Sequence, residues 1–136
     1  MNSHYFIGIG PFSESFRSQA GDLSDLSRKV SGIIREVGLE VMSENITGFS
    51  EGGSTLVWVL AESHVAMHYW NWEGFVTVDI HVCDYTSSNA EKALRLKERL
   101  EKLCFVEGSA HWAELVLPHP ARPVLQPVNA ESSPHV

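Results

Sequence analysis

The segment FVTVDIHVC (75–83) constrains the fold of this 136-residue chain more than any other stretch. Successive side chains of a β-strand point to opposite faces of its sheet. One face of this strand is purely aliphatic and consists of Val76, Val78, Ile80 and Val82. The other face carries a carboxylate, an imidazole and a thiol among Phe75, Thr77, Asp79, His81 and Cys83. We therefore predict a strand with its aliphatic face in the core and a polar face that needs either a partner subunit or a function.

Two further strands are predicted immediately before it. STLVWVLAE (54–62) is apolar on both faces, which is typical of a central strand. After Ser63 the pattern resumes as HVAMHYW (64–70), and NWEG (71–74) reads as a hairpin turn. If 64–70 pairs with 75–83, His68 and Cys83 lie on the sheet face away from the helices. Ser63 and His68 are five residues apart, so they can meet only if the chain bulges or turns near 62–64.

The remaining elements predict an α+β fold. HYFIGIG (4–10), 39–49 and 105–117 read as strands, and 11–21 as a connector. Helical spacing of apolar residues predicts a helix over 22–37, ended by Gly38. Ser88 and Glu91 predict a capping box for a second helix that runs to about Leu103. We expect one domain (1–116), an antiparallel sheet with two helices on one face, followed by a proline-rich, disordered tail (117–136).

Composition narrows the possible partners and the cellular setting. The net charge of −7, from 17 acidic and 10 basic residues, argues against nucleic acid and anionic membranes as partners. No apolar run approaches the roughly 20 residues of a membrane span, and the N-terminus lacks signal-peptide features. Cys83 and Cys104 have neither metal-site nor disulfide-framework spacing. We expect a protein of the reducing cytoplasm.

From residue types alone, the polar side chains of segments 62–70 and 75–83 allow several interpretations. Glu62-Ser63-His64 is compatible with catalysis, but such a triplet is also common by chance, and a strand histidine or cysteine is usually structural. Three imidazoles, those of His64, His68 and His81, could gather around a metal. A serine hydrolase is disfavoured because the chain has no nucleophile-elbow motif.

Taken together, these segments resemble a known family. GGSTLVWVLAESHVAMHYW (52–70) followed by WEGFVTVDIHVCD (72–84) looks like the short prokaryotic type of S-adenosylmethionine decarboxylase. The shared features are a Gly/Ser-rich turn, the sequence L-A-E-S-H, a second histidine five residues after the serine, and a strand that ends in cysteine. The similarity extends over about residues 22–103.

The resemblance implies a proenzyme that cuts itself between Glu62 and Ser63. The products would be a β chain (1–62) and an α chain (63–136), the latter capped by a pyruvoyl group made from Ser63. This covalent pyruvoyl would be the cofactor, with no metal, and would form a Schiff base with the substrate amine and act as electron sink. Two protomers of such enzymes join their sheets into an α/β sandwich, so a homodimer is expected.

Individual roles also follow from the resemblance. His68 matches the proton carrier of self-processing, and Cys83 matches the residue that reprotonates the decarboxylated carbon. Thr55 falls where the family has a serine that assists processing. Phe49 matches an aromatic residue that packs on the adenine.

The chain departs from the family pattern around the substrate. The usual turn T-W-P-E-Y-G is replaced by Tyr69–Gly74 (YWNWEG), so the ribose-binding glutamate falls at Trp72 and Glu73 is one place later. His81 stands where a phenylalanine is usual, and Asp84 where a glycine is usual. Glu73 and Asp84 are therefore candidate ligands for a substrate cation. We expect decarboxylation of S-adenosylmethionine for spermidine synthesis; the alternatives are arginine or ornithine as substrate, or a non-catalytic paralogue.

Overall fold

A computed structural model describes residues 1–121 of the chain. Six strands and three helices follow one another in the order β1 Asn2–Pro11, α1 Glu14–Gln19, α2 Leu23–Glu36, β2 Val41–Gly48, β3 Ser54–Leu60, β4 Ser63–Trp70, β5 Phe75–Cys83, α3 Ala90–Cys104 and β6 His111–Pro118. The strands form a single antiparallel sheet in the order β2-β3-β4-β5-β1-β6. The predicted α+β fold with an antiparallel sheet is confirmed.

The three strands that were predicted from 54 to 83 form a continuous meander. β3 and β4 are joined by a tight turn at Ala61-Glu62, and β4 and β5 by residues 71–74. In the β4–β5 pair His68 lies opposite Thr77 and His64 lies opposite His81. The predicted pairing and the predicted alternation of 75–83 are both confirmed, since every second residue from Val76 to Val82 is buried.

The core lies between one sheet face and the helices. Strand residues such as Leu56, Trp58 and Val78 are fully buried there, together with helix residues such as Leu26 and Leu96. The indole Nε1–H of Trp58 donates to a carbonyl of α2, which satisfies its only polar atom. Amphipathic spacing in α2 and α3 is what allows both helices to cover the same face.

Two local predictions were wrong. The connector 11–21 contains the short helix α1, which begins after the N-cap Ser13 and buries only Phe16; one buried residue is too little to show helical periodicity. α3 has no Ser88/Glu91 capping box. Its N-cap is Asn89, whose side chain instead donates to the carbonyl of Cys83, while the Ser88 hydroxyl accepts from the N–H of Ala90.

The last strand also differs from the prediction of 105–117. β6 begins at His111, and not at 105, and continues to Pro118. Most of the predicted tail, residues 122–136, lies outside the described residues. Within residues 1–121 no helix is long and apolar enough to cross a membrane.

The second sheet face, here called the open face, is not covered by the helices. By alternation it carries His64, Ala66 and His68 of β4 and the odd-numbered residues of β5. Exposed aliphatic side chains on the neighbouring strands extend this face: Ile7, Ile9, Val59, Leu115 and Leu117. The open face therefore combines a polar centre with an apolar surround.

Candidate active site

Ser63 begins β4 in an unusual backbone conformation. It is the only non-glycine residue with positive φ (146°) among residues 1–121. Strict alternation would place its side chain with Val65 and Met67 in the core. Its hydroxyl instead lies against His81 on the open face. A conformation of this kind costs on the order of 1–3 kcal/mol in a residue with a Cβ, so strain is concentrated at the residue after Glu62.

The peptide between Glu62 and Ser63 is held from both sides. The carbonyl oxygen of Glu62 accepts a hydrogen bond from the N–H of Cys83 at 2.8 Å. The Glu62 carboxylate accepts from the N–H of Glu40 at 3.1 Å, and the Ala61 carbonyl accepts from the hydroxyl of Tyr85. An N–H that is aimed at a carbonyl oxygen stabilises the negative charge that develops there under nucleophilic attack.

The Ser63 hydroxyl has two imidazole neighbours. Its Oγ lies 2.8 Å from Nδ1 of His81 and 3.4 Å from Nδ1 of His64. The His81 ring stacks on Tyr5, with centroids 4.1 Å apart and planes 15° apart. Partial burial, and to a smaller extent the nearby His64, lower the pKa of His81. Both effects favour the neutral form of His81, which is able to accept a proton.

Cys83 continues this polar row. Its Sγ lies 3.4 Å from Nε2 of His81 and 3.2 Å from Oγ of Ser3, and Ser3 Oγ lies 2.9 Å from Nε2 of His119. The thiol is half-buried on the open face. Cys104, in contrast, is fully enclosed at the end of α3, and burial strongly raises the pKa of its thiol. Cys83 is thus the cysteine available for chemistry.

His68 and Thr55 form a second polar pair further along the sheet. Their Nδ1 and Oγ1 atoms are 2.9 Å apart, and the His68 ring lies beside Trp70. β4 is continuous from Ser63 to Trp70, so at about 3.3 Å per residue the α-carbons of Ser63 and His68 are roughly 16 Å apart. The turn that we predicted near 62–64 exists, but it precedes Ser63. It does not bring Ser63 and His68 of one chain together.

The three residues expected to bind substrate lie in different environments. Phe49 is 40% exposed, just beyond the end of β2, and Glu73 is exposed in the β4–β5 turn. Asp84 is buried. Its carboxylate already accepts from the N–H groups of Asn2 and Asn89 and contacts His4 Nε2 at 2.9 Å. The Asp84 oxygens thus already have partners within the chain, which leaves them less available to a substrate cation; its predicted role in substrate binding stays a prediction.

A metal site made from three histidines is not assembled. His64 and His81 are neighbours, but the His68 ring pairs with Thr55. Within residues 1–121, no three side chains of the His, Cys, Asp or Glu type come together as metal ligands.

Several contacts around Ser63 could not be predicted from the sequence. Alternation placed His81 on the same face as Cys83, yet its contact with Ser63 depends on the positive φ of Ser63, which a serine does not signal. Tyr5, Ser3 and His119 reach the site because β1 pairs with β5 and β6. Such pairing between distant segments leaves no local mark in the sequence.

Fold and site together define an α+β sheet protein with a serine hydroxyl beside an imidazole and next to a hydrogen-bonded carbonyl. The S-adenosylmethionine decarboxylase family matches residues 12–103, and the chain belongs to this family. The resemblance noted from residues 52–84 is thereby confirmed.

Individual relatives agree with this assignment. The chain is similar to the S-adenosylmethionine decarboxylase proenzymes of Symbiobacterium thermophilum (38% identity over 65 residues, 48% of this chain and 49% of the relative) and Persephonella marina (27% over 81 residues, 60% and 58%). It thus spans about half the length of the curated relatives that it matches. The crystal structure of the adenosylmethionine decarboxylase from Aquifex aeolicus has the same fold, with a TM-score of 0.61, 21% identity, and coverage of 95% of this chain and 97% of that one.

Proposed function

We propose that the protein is a self-processing, pyruvoyl-dependent decarboxylase of S-adenosylmethionine that supplies the aminopropyl donor for spermidine synthesis. One observation carries the proposal. The Ser63 hydroxyl has an imidazole at 2.8 Å, and the adjoining Glu62 carbonyl is hydrogen-bonded to the N–H of Cys83. A hydroxyl with a base and a polarised carbonyl with an N–H donor are the two requirements of intramolecular acyl transfer.

Self-processing would proceed through this peptide. The Ser63 Oγ attacks the Glu62 carbonyl carbon, and the amide becomes an ester. Removal of the Ser63 α-proton breaks the ester and releases the main-chain carboxylate of Glu62, which becomes the C-terminus of the β chain. The dehydroalanine that remains at position 63 hydrolyses to pyruvoyl with release of ammonia. The positive φ of Ser63 favours the first step, because breaking the peptide releases the strain.

The residues around Ser63 suit the group that this reaction would create. When present, the pyruvoyl carbonyl supplies an electron sink for loss of carbon dioxide. Cys83 would then deliver a proton to the decarboxylated carbon, a role supported by its half-buried thiol next to His81. Tyr5 and His81 are stacked face to face beside the Ser63 hydroxyl.

S-adenosylmethionine is the substrate that the family membership favours. Phe49 offers an exposed aromatic surface on which the adenine of the substrate could pack, as the resemblance implies. Glu73 and Asp84 were the two carboxylates expected to pair with the distal cation of arginine or ornithine. Asp84 is hydrogen-bonded within the chain, so only Glu73 of these two is exposed and available. This weakens the case for a basic amino acid as substrate.

A homodimer fits both the open face and the position of His68. The exposed aliphatic residues around the polar centre would be covered by a second sheet. His68 is roughly 16 Å from Ser63 of its own chain but faces the same side. We propose that it serves the second step of processing, removal of the Ser63 α-proton, from the partner subunit across the two-fold interface.

The test is a denaturing mass measurement of freshly purified protein. We expect two chains: one that ends at Glu62, and one that begins with a pyruvoyl group in place of Ser63. The Ser63→Ala variant should stay intact. A wild-type preparation that contains only the 15.1 kDa chain would sink the proposal.

Turnover is tested separately with S-adenosylmethionine, arginine and ornithine side by side, reading carbon dioxide and product mass. Cys83→Ala should be cut but release little carbon dioxide. Processed protein that acts on none of the three substrates would point to the non-catalytic paralogue.

A further inference from the structure

We propose that His81 is the base that takes the Ser63 hydroxyl proton in the acyl shift. This inference rests on the proposed function and assigns the first proton transfer to a residue outside the family pattern, where a phenylalanine is usual.

The distances distinguish His81 from the other imidazoles of its own chain. A general base must be within about 2.6–3.2 Å of the group from which it takes the proton. His81 Nδ1 meets this requirement at 2.8 Å, whereas His64 Nδ1, at 3.4 Å, does not and its ring is exposed. His68 of the same chain is paired with Thr55 at the other end of β4.

The surroundings of His81 hold its ring in the required orientation and tautomer. Stacking on Tyr5 fixes the ring plane. Nε2 faces the Cys83 sulfur at 3.4 Å, so the ring proton is best placed on Nε2, where it donates to Sγ. Nδ1 is then unprotonated and receives the Ser63 hydroxyl proton.

With this tautomer, the hydrogen bonds that link Ser63, His81, Cys83 and Ser3 can all have one donor and one acceptor. The thiol of Cys83 can donate to Ser3 Oγ, and the Ser3 hydroxyl can donate to Nε2 of His119. Every donor from Ser63 to Ser3 therefore has an acceptor. The groups recorded in contact with His81 are the Ser63 hydroxyl, the Tyr5 ring, the Cys83 thiol and the His64 ring, and none of these is a carboxylate. The lowered pKa of His81 agrees with these contacts.

The step balances without another reactant. The Ser63 proton moves to His81 Nδ1 as the Oγ–C bond to the Glu62 carbonyl carbon forms. The Cys83 N–H stabilises the oxyanion. As the C–N bond breaks, His81 returns the proton to the departing Ser63 nitrogen and is neutral again. The product is an ester with a free amine.

The experiment follows cleavage of the full chain over time after cell-free synthesis, for wild type, His81→Phe, His81→Ala and, as matched control, His111→Ala, which removes an exposed imidazole at the start of β6. His81→Phe restores the usual family residue, and its ring can still stack on Tyr5, so its fold should be kept. We expect both His81 variants to cut at least about 100-fold more slowly than wild type. His111→Ala should cut within a few-fold of wild type.

Two further readings separate a base from a structural residue. Hydroxylamine, which cleaves esters, should release no fragment from the His81 variants, because they stop before the ester. Added imidazole should restore part of the cleavage rate of His81→Ala. Cleavage of either His81 variant at the wild-type rate, an ester trapped in those variants, or a folded His81→Ala that imidazole does not rescue would overturn the assignment. A wild-type chain that is never cut would instead remove the proposed function itself.

Discussion

Replacing Asp84 by asparagine should remove a pH-dependent part of the stability of the fold. The Asp84 side chain is only 4% exposed. Burial pushes the pKa of this carboxyl upward, but the N–H groups of Asn89 and Asn2 and the side chain of His4 outweigh it and hold the pKa at about 2. Asparagine has nearly the same shape, but it has one carbonyl oxygen for three donors and no charge.

The magnitude follows from the difference between folded and unfolded pKa. A pKa that drops from 3.8 to about 2 corresponds to about 2 kcal/mol of stability at neutral pH. Since the folded-state pKa is the lower one, this contribution is present above the unfolded pKa and is lost as the pH falls through the folded pKa. About 1 kcal/mol is already gone at pH 3.

The assay is urea unfolding of Asp84→Asn and its parent between pH 7 and pH 3, in a Ser63→Ala background that keeps the chain in one piece, at one protein concentration. The difference in unfolding free energy should shrink by about 1 kcal/mol over this range. Asp25→Asn is the matched control, because Asp25 pairs with Arg28 on the surface and surface pairs contribute little. A difference that does not change with pH would refute the view that Asp84 is held as a hydrogen-bonded anion.

Two further predictions test the proposed dimer. When Ser63→Ala and His68→Asn are coexpressed in equal amounts, random pairing should allow about half of the chains that keep Ser63 to be cut, while each variant alone is cut little or not at all. No cutting in the mixture would exclude processing by a partner's His68. Ile7→Lys on the open face should convert particles of twice 15.1 kDa into single protomers in light scattering. Val106→Lys, equally exposed in the turn after α3, should not change the mass, and an unchanged mass for Ile7→Lys would place the interface elsewhere.

Alternation along a strand is the property that made much of the site predictable. It placed His81 and Cys83 on one face of their strand, because the period of two is local, and the predicted pairing of 64–70 with 75–83 added His68 to that face. It could not place Ser63, whose positive φ overrides alternation. It also could not place Asp84, which resembles a solvated loop residue in the sequence. The Asp84 carboxylate contacts His4 in β1 and the N–H of Asn89, the N-cap of α3, and only the fold brings these residues together.

His81 and Asp84, two departures from the family pattern, lie on either side of Cys83 in the sequence and both fix its position. Asp84 receives the N–H of Asn89, whose side chain in turn donates to the Cys83 carbonyl. The Cys83 N–H donates to the Glu62 carbonyl, and its thiol faces His81. The backbone and side chain of Cys83 are therefore tied at once to the peptide to be cut and to the imidazole beside Ser63. In the proposed mechanism the N–H of this residue serves processing and its thiol serves turnover, so a buried anion that fixes its position supports both reactions without touching substrate.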